Sequence, residues 1–145
     1  MKFEGSRQLA APREKVWAFL RDPNNLTKAM GDARDVVIVS PTVFTANVKA
    51  GVSVVRGTFR FRFEVVDEDR PSRLLVRARG TGIGSAVDLD LGVHLEEDGR
   101  QTRLLWNAEA RVSGALAGIA QRLLDQAAQK TIQDVFTNLE RLAVS

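Results

Sequence analysis

The segment Arg56–Val65, RGTFRFRFEV, puts Phe59, Phe61, Phe63 and Val65 on one parity and Arg60, Arg62 and Glu64 on the other. Successive side chains of a strand point to opposite faces, so the apolar residues share one face and the charged ones the other. The three rings either press against a filled core or line a hollow that holds another molecule. Burying such a ring contributes roughly 1.5–3 kcal/mol in both cases, so the alternation alone does not separate them.

The same period of two runs outward from this segment. Between Val36 and Val112 it is broken by the turn signals SPT, AGVS, DEDRPS, GTGIG and EEDGRQ, which predicts strands near 34–40, 43–50, 55–67, 73–80, 85–96 and 102–112. Six strands in a row favour an antiparallel meander. Gly80, Gly82 and Gly84 match no phosphate-binding pattern and read as a bend or bulge between strands. Before this run, Lys2–Leu9 forms a first strand and two short helices follow it. Pro12 opens the first helix; Asp22 caps the second, with Pro23 at its first position and Gly31 at its end. After the run, a helix is predicted from about Ala115 to Leu142. Leu116, Ile119, Ala120, Leu123 and Ala127 form one stripe, continued on a rotated face by Ala128, Ile132, Val135, Leu139 and Leu142. A helix of that length has to lie across the sheet, because the apolar face of each needs the other. The expectation is an α+β helix-grip architecture. A curved seven-stranded antiparallel sheet wraps around a long C-terminal helix, and residues 1–145 form a single domain.

Composition narrows the function classes. The chain has no cysteine, which excludes disulfides, zinc–thiolate sites and thiol nucleophiles, and its lone His94 cannot build a multi-histidine site. No metal or other cofactor is expected. The net charge of +3 is not gathered into a basic arm. Sixteen of the 21 basic residues are arginine, alternating with apolar residues on strands and facing acids such as Asp88, Asp90 and Glu109. That pattern reads as a solvated, ion-paired sheet face, not a nucleic-acid surface. The start, MKFEGSRQLAAP, lacks the apolar core of a signal peptide and no run approaches the roughly 18 residues that cross a bilayer. The expected location is the cytoplasm, at most peripheral at the inner membrane face.

The inward parity collects Phe59, Phe61, Phe63, Leu74, Val76, Ala78, Leu89, Leu91, Val93, Leu104, Trp106, Ala108 and Ala110. It contains no acid, base or nucleophile, while His94 falls on the outward parity, so no catalytic residue is predicted. Small residues among the large ones, Ala78, Ala108 and Ala110 on strands with Ala120 and Ala127 on the helix, leave volume that neighbours fill or leave open. Of the two alternatives, the hollow is the expectation. Its lining is predicted as Phe59, Phe61, Phe63, Val76, Ala78, Leu89, Leu91, Val93, Leu104, Trp106 and Ala108, with Leu116, Ile119, Ala120, Leu123 and Ala127 from the helix. An apolar cavity of this kind suits lipid, isoprenoid or quinone ligands. Arg7, on the parity of Phe3 and Leu9, and Asp134, which interrupts the helix stripe, are the candidate polar groups. An inward arginine is costly unless paired. Either these two pair with each other or Arg7 snorkels to solvent at the sheet margin.

The order of elements resembles the START/Bet v1-like helix-grip superfamily, which includes polyketide cyclases and lipid-binding proteins. Within it, MKFEGS, APREKVWAFLRDPNNL, RGTF and RLLDQAAQKTIQDVFTNL are similar to the CoxG family of carbon monoxide dehydrogenase. The resemblance covers almost the entire chain. It departs from the family pattern at Met30-Gly31 and at Ser53-Val54, where Pro-Gly and Gly-Pro are usual. It implies an apolar cavity between sheet and helix, and a non-catalytic role beside a molybdenum-containing carbon monoxide dehydrogenase in recruitment, maturation or electron-carrier delivery. The partners so implied are an apolar small molecule and a redox enzyme complex or membrane surface. Many relatives carry a further anchoring tail where this sequence ends at Ser145, so direct anchoring is not expected. The competing expectation is a small cyclase- or hydrolase-like enzyme, which a polar residue projecting into the cavity would favour; Arg7 is the candidate.

Overall fold

The computed structural model describes residues 1–31, 33–50 and 56–144. The predicted turn at 51–53, the Ser53-Val54 departure and the first residue of the strand predicted over 55–67 lie outside the described residues. The elements follow the predicted order: β1 (Lys2–Leu9), α1 (Arg13–Arg21), α2 (Pro23–Ala29), β2 (Arg34–Ser40), β3 (Val43–Ala50), β4 (Gly57–Asp69), β5 (Arg73–Gly82), β6 (Ser85–Asp98), β7 (Gln101–Gly114) and α3 (Gln121–Ala143). The strands make one antiparallel sheet in the order β1-β7-β6-β5-β4-β3-β2. β2 to β7 form the meander, and β1 completes the sheet by pairing with β7.

Local chemistry accounts for the helix ends. The Asp22 carboxylate accepts the Asn24 N–H at 2.9 Å, and Pro23 takes the first position of α2, where its missing donor costs nothing. α2 ends at Met30, and the Gly31 N–H donates to the Lys28 carbonyl. Pro12 stands one position earlier than expected, as the cap of α1.

The GTGIG segment is a tight hairpin and not a bulge. Ile83 and Gly84 both have positive φ (46° and 70°), the handedness that two-residue hairpins require, and β5 and β6 continue up to them. Register shifts lie elsewhere in the sheet, in the β4–β5 pairing between Val65 and Asp67 and in the β2–β3 pairing between Arg34 and Val37 and between Ile38 and Ser40.

The C-terminal helix begins six residues later than the predicted Ala115. The segment Ala115–Gly118 is a 3-10 turn, held to the β5–β6 hairpin by the Ala115 N–H on the Gly84 carbonyl and the Leu116 N–H on Ser85 Oγ at 2.8 Å. Ile119 and Ala120 are then extended and form the corner from which α3 sets out across the sheet. The 23 residues of α3 span roughly 34 Å. It buries Leu124, Ala127, Phe136, Leu139 and Ala143. Among the described residues no helix is long and apolar enough to cross a membrane.

The interior falls into two clusters. The larger one joins β1, α1, the ends of β5, β6 and β7, and the C-terminal half of α3, around Leu9, Val16, Trp17, Leu95, Leu104, Trp106 and Leu139. The smaller one joins β3, β4, the 3-10 turn and the start of α3, around Ala46, Val48, Phe59, Phe61, Leu116, Leu124 and Ala127. Leu89 packs against both. On the opposite, wet face of the sheet, Arg79 grips Asp88 through two hydrogen bonds of 2.9 and 2.8 Å, and Arg77 and Arg111 both bond Asp90.

Candidate functional site

Between the sheet and α3, where the two clusters meet, lies an apolar cavity of about 190 Å³. Its floor is the concave face of β3 to β7. The strand alternation aims Phe44 and Val48, Phe61 and Phe63, Val76 and Ala78, Leu89 and Leu91, and Val93 and Ala108 into it. α3 supplies the roof through Ile132, Val135, Phe136 and Leu139, and the α1–α2 corner closes one side with Leu20, Pro23 and Leu26. Three of the rings form a continuous wall. Phe44 stacks on Phe63 with centroids 4.7 Å apart, and Phe63 lies 5.5 Å from Phe61.

Polar lining groups gather at the end near the β2–β3 turn. Arg21, Pro41, Thr42 and Glu64 line the cavity there, and Thr131 contributes from α3. Arg21, at the last turn of α1, is ion-paired through Nε with Glu68 at 2.6 Å and donates from Nη2 to the Pro41 carbonyl at 3.4 Å. Glu64 is paired with Arg62 at 3.1 Å. The Val65 N–H donates to the Thr42 carbonyl, which fastens this rim to β4.

Of the residues predicted to line a hollow, Phe61, Phe63, Val76, Ala78, Leu89, Leu91, Val93 and Ala108 border the cavity. The others lie elsewhere. Phe59, Leu116 and Ala127 are buried in the smaller cluster with Ile119 and Leu123 packed against it, and Leu104 and Trp106 belong to the larger one. Ala120 is exposed at the N-cap of α3, a consequence of the late helix start. Phe44, Val48, Leu26, Phe136 and Leu139 were missing from the predicted lining. The parity of Phe44, Ala46 and Val48 on β3 was a usable signal for that strand. Leu26 and Phe136 needed the helix orientations.

The predicted pair of Arg7 and Asp134 does not form. Arg7 reaches across the β1 edge to α3, donating to Gln133 at 2.6 Å and to Glu140 at 3.2 Å, with Thr137 at 3.4 Å. Asp134, one helical step away on the exposed side, is bonded by Lys130 at 2.6 and 2.8 Å. Neither residue borders the cavity. His94 is exposed beyond the opposite, wet face.

No curated protein matches the sequence. Among solved structures, a conserved protein from Geobacillus kaustophilus superposes with a TM-score of 0.90 at 26% identity, over 99% of this chain and 95% of that one. A START superfamily protein from Mycobacterium smegmatis gives 0.76 at 12% identity over 96% and 94%, and Ara h 8.0201 gives 0.70 at 15% over 99% and 97%. The sheet wrapped on a long terminal helix is therefore the START/Bet v1-like helix-grip fold. The family profile for CoxG of carbon monoxide dehydrogenase matches residues 5–144, from the glycine of the MKFEG opening to the last turn of α3. The chain belongs to the CoxG family of carbon monoxide dehydrogenase.

Proposed function

We propose that this chain is a non-catalytic carrier, which binds a lipid- or quinone-like molecule in the cavity and serves beside a redox enzyme of the molybdenum carbon monoxide dehydrogenase type. The cavity carries the reading. Its floor and roof offer aliphatic and phenyl surface with few polar groups, the environment that recognises hydrocarbon bulk. Arg7, the polar residue whose entry into the cavity would favour an enzyme, is engaged by α3 instead, and His94 faces solvent. Membership of the family supports the choice of enzyme partner. A quinone is consistent with such a partner, being a redox-active head on an apolar body.

Two measurements test the carrier reading. Organic extracts of gently purified protein, analysed by mass spectrometry, should yield one enriched apolar species. The neutral probe Nile red should bind stoichiometrically and be displaced by that species. A protein that extracts clean and leaves Nile red unbound would reject the reading.

A further inference from the structure

The rim of the cavity carries its own chemical information. Arg21 is the cationic residue on the lining, and the Pro41 contact holds its guanidinium at the β2–β3 end, where Thr42 and Glu64 also lie. A guanidinium has five N–H donors, more than its contacts to Glu68 and the Pro41 carbonyl engage among the described residues. The charge of Arg21 at this rim is balanced by Glu68, whereas the Glu64 carboxylate is paired with Arg62 on the parity of the wet face. A carboxylate arriving here would meet an arginine already neutralised and the Glu68 carboxylate close by; an ammonium would meet the same arginine with no acid left unpaired. A neutral oxygen acceptor meets neither repulsion, and can take an N–H from Arg21 without disturbing the ion pair.

Size adds a second constraint. A dry apolar cavity of about 150 Å³ is enough for a benzene molecule. At about 190 Å³, this one is enough for a single ring or a short chain.

Resting on the carrier reading, we propose that Arg21 is the head-group-recognising residue of the site. The cavity then selects neutral amphiphiles whose carbonyl-type oxygen lies at the β2–β3 rim on Arg21, with an apolar part of one-ring or short-chain size directed inward. A ketone, an ester and a quinone share this chemistry, and only the part inside the cavity is limited in size.

The test is displacement of Nile red at pH 7 by octan-2-one, methyl octanoate, 1,4-benzoquinone, octanoate, octylamine and octane. Octan-2-one and methyl octanoate should compete about tenfold better than octanoate, octylamine and octane, the factor that one charge-assisted hydrogen bond supplies. Benzoquinone against octan-2-one separates a ring-borne carbonyl from a chain-borne one. Arg21→Met should abolish the advantage of the ketone over octane while octane binds as before. Glu68→Gln leaves Arg21 in place but unbalances the rim, and should improve octanoate about fivefold or more with the ketone little changed. Octanoate binding as well as the ketone to the wild type, or an equal loss for every ligand in Arg21→Met with no response of octanoate to Glu68→Gln, would overturn the assignment while leaving the carrier reading intact. Failure of Nile red and all competitors to bind would overturn both.

Discussion

The indole of Trp106 lies across the Cα of Gly5, so that a Cβ added to Gly5 would stand 2.8 Å from Cε2, Cζ2 and Nε1 of the ring. The two residues are directly opposed in the β1–β7 register, and the ring is sandwiched from the far side by Phe136 of α3, with centroids 4.8 Å apart. Gly5 thus sets the distance at which the edge strand meets the helix. Gly5→Ala should cost about 1–3 kcal/mol through overpacking, read as a lowered urea midpoint. In a Trp106→Leu background the same change should be nearly neutral. A Gly5→Ala protein as stable as the wild type would show that the ring can move aside.

Arg7 ties β1 to α3 through Glu140 and Gln133. The pair with Glu140 is partly exposed, with side chains 23% and 43% accessible, so its coupling belongs to the modest class. A double-mutant cycle on Arg7→Met and Glu140→Gln should give about 0.5–1 kcal/mol. The corresponding cycle on Arg7 and Asp134 should be additive within about 0.3 kcal/mol. Equal coupling in both cycles would contradict the arrangement described.

Volume distinguishes a hollow from a filled core. Ala108 is buried and borders the cavity, opposite Leu91 on β6. In a close-packed wall, Ala108→Leu would cost about 1–3 kcal/mol. Here the added carbons enter open space, so the melting temperature should hold or rise while Nile red affinity falls about tenfold. A sharp drop in melting temperature would mean that the space is already taken. Ala120, exposed at the helix cap, cannot report on the interior.

On the wet face, the Arg111 hydrogen bond holds the Asp90 carboxyl below its usual range, aided by the Arg77 hydrogen bond and by both charges, with partial desolvation opposing. A carboxyl lowered in the folded state contributes stability that is fully present above its ordinary value, near about pH 4, and is lost as pH falls through the lowered value. Asp90→Asn should therefore be slightly less stable than the wild type at pH 7, and the two should converge in strong acid. With the carboxylate 43% exposed, solvent screening keeps the difference to about a few tenths of a kcal/mol. Urea midpoints at several pH values measure it; a gap that widens on acidification would reverse the assigned sign.

The strand pattern was legible because one face of the sheet is wet, which prints an alternation of apolar and polar residues along stretches such as Phe59–Glu64 and Asp88–Leu91. Element order and sheet topology followed from it, as did the eight cavity residues on β4 to β7. Helix α3 was harder to read. Leu116 and Ile119 fall at helical spacing from Leu123, yet they belong to a 3-10 turn and a corner fixed by Ser85, a partner 31 residues away in sequence. Of the two alternatives for Arg7, the pair with Asp134 does not form, and Arg7 meets Gln133 and Glu140 with part of its side chain exposed. Strand parity fixes a face, while the choice between Asp134 and Glu140 depends on the rotation of α3 about its own axis, which Gly5 and Trp106 help to set.

The void has a mechanical meaning as well as a chemical one. Leu89 touches both interior clusters, but elsewhere the 190 Å³ opening separates their facing walls, and atoms lining a gap forgo the dispersion contacts that would couple them. The two clusters are thus held together by the sheet, by α3, which runs from one to the other, and by Leu89. A molecule seated between them would supply the missing contacts to both at once. Occupancy should then be felt as cooperativity, raising and sharpening a single thermal transition of the whole domain.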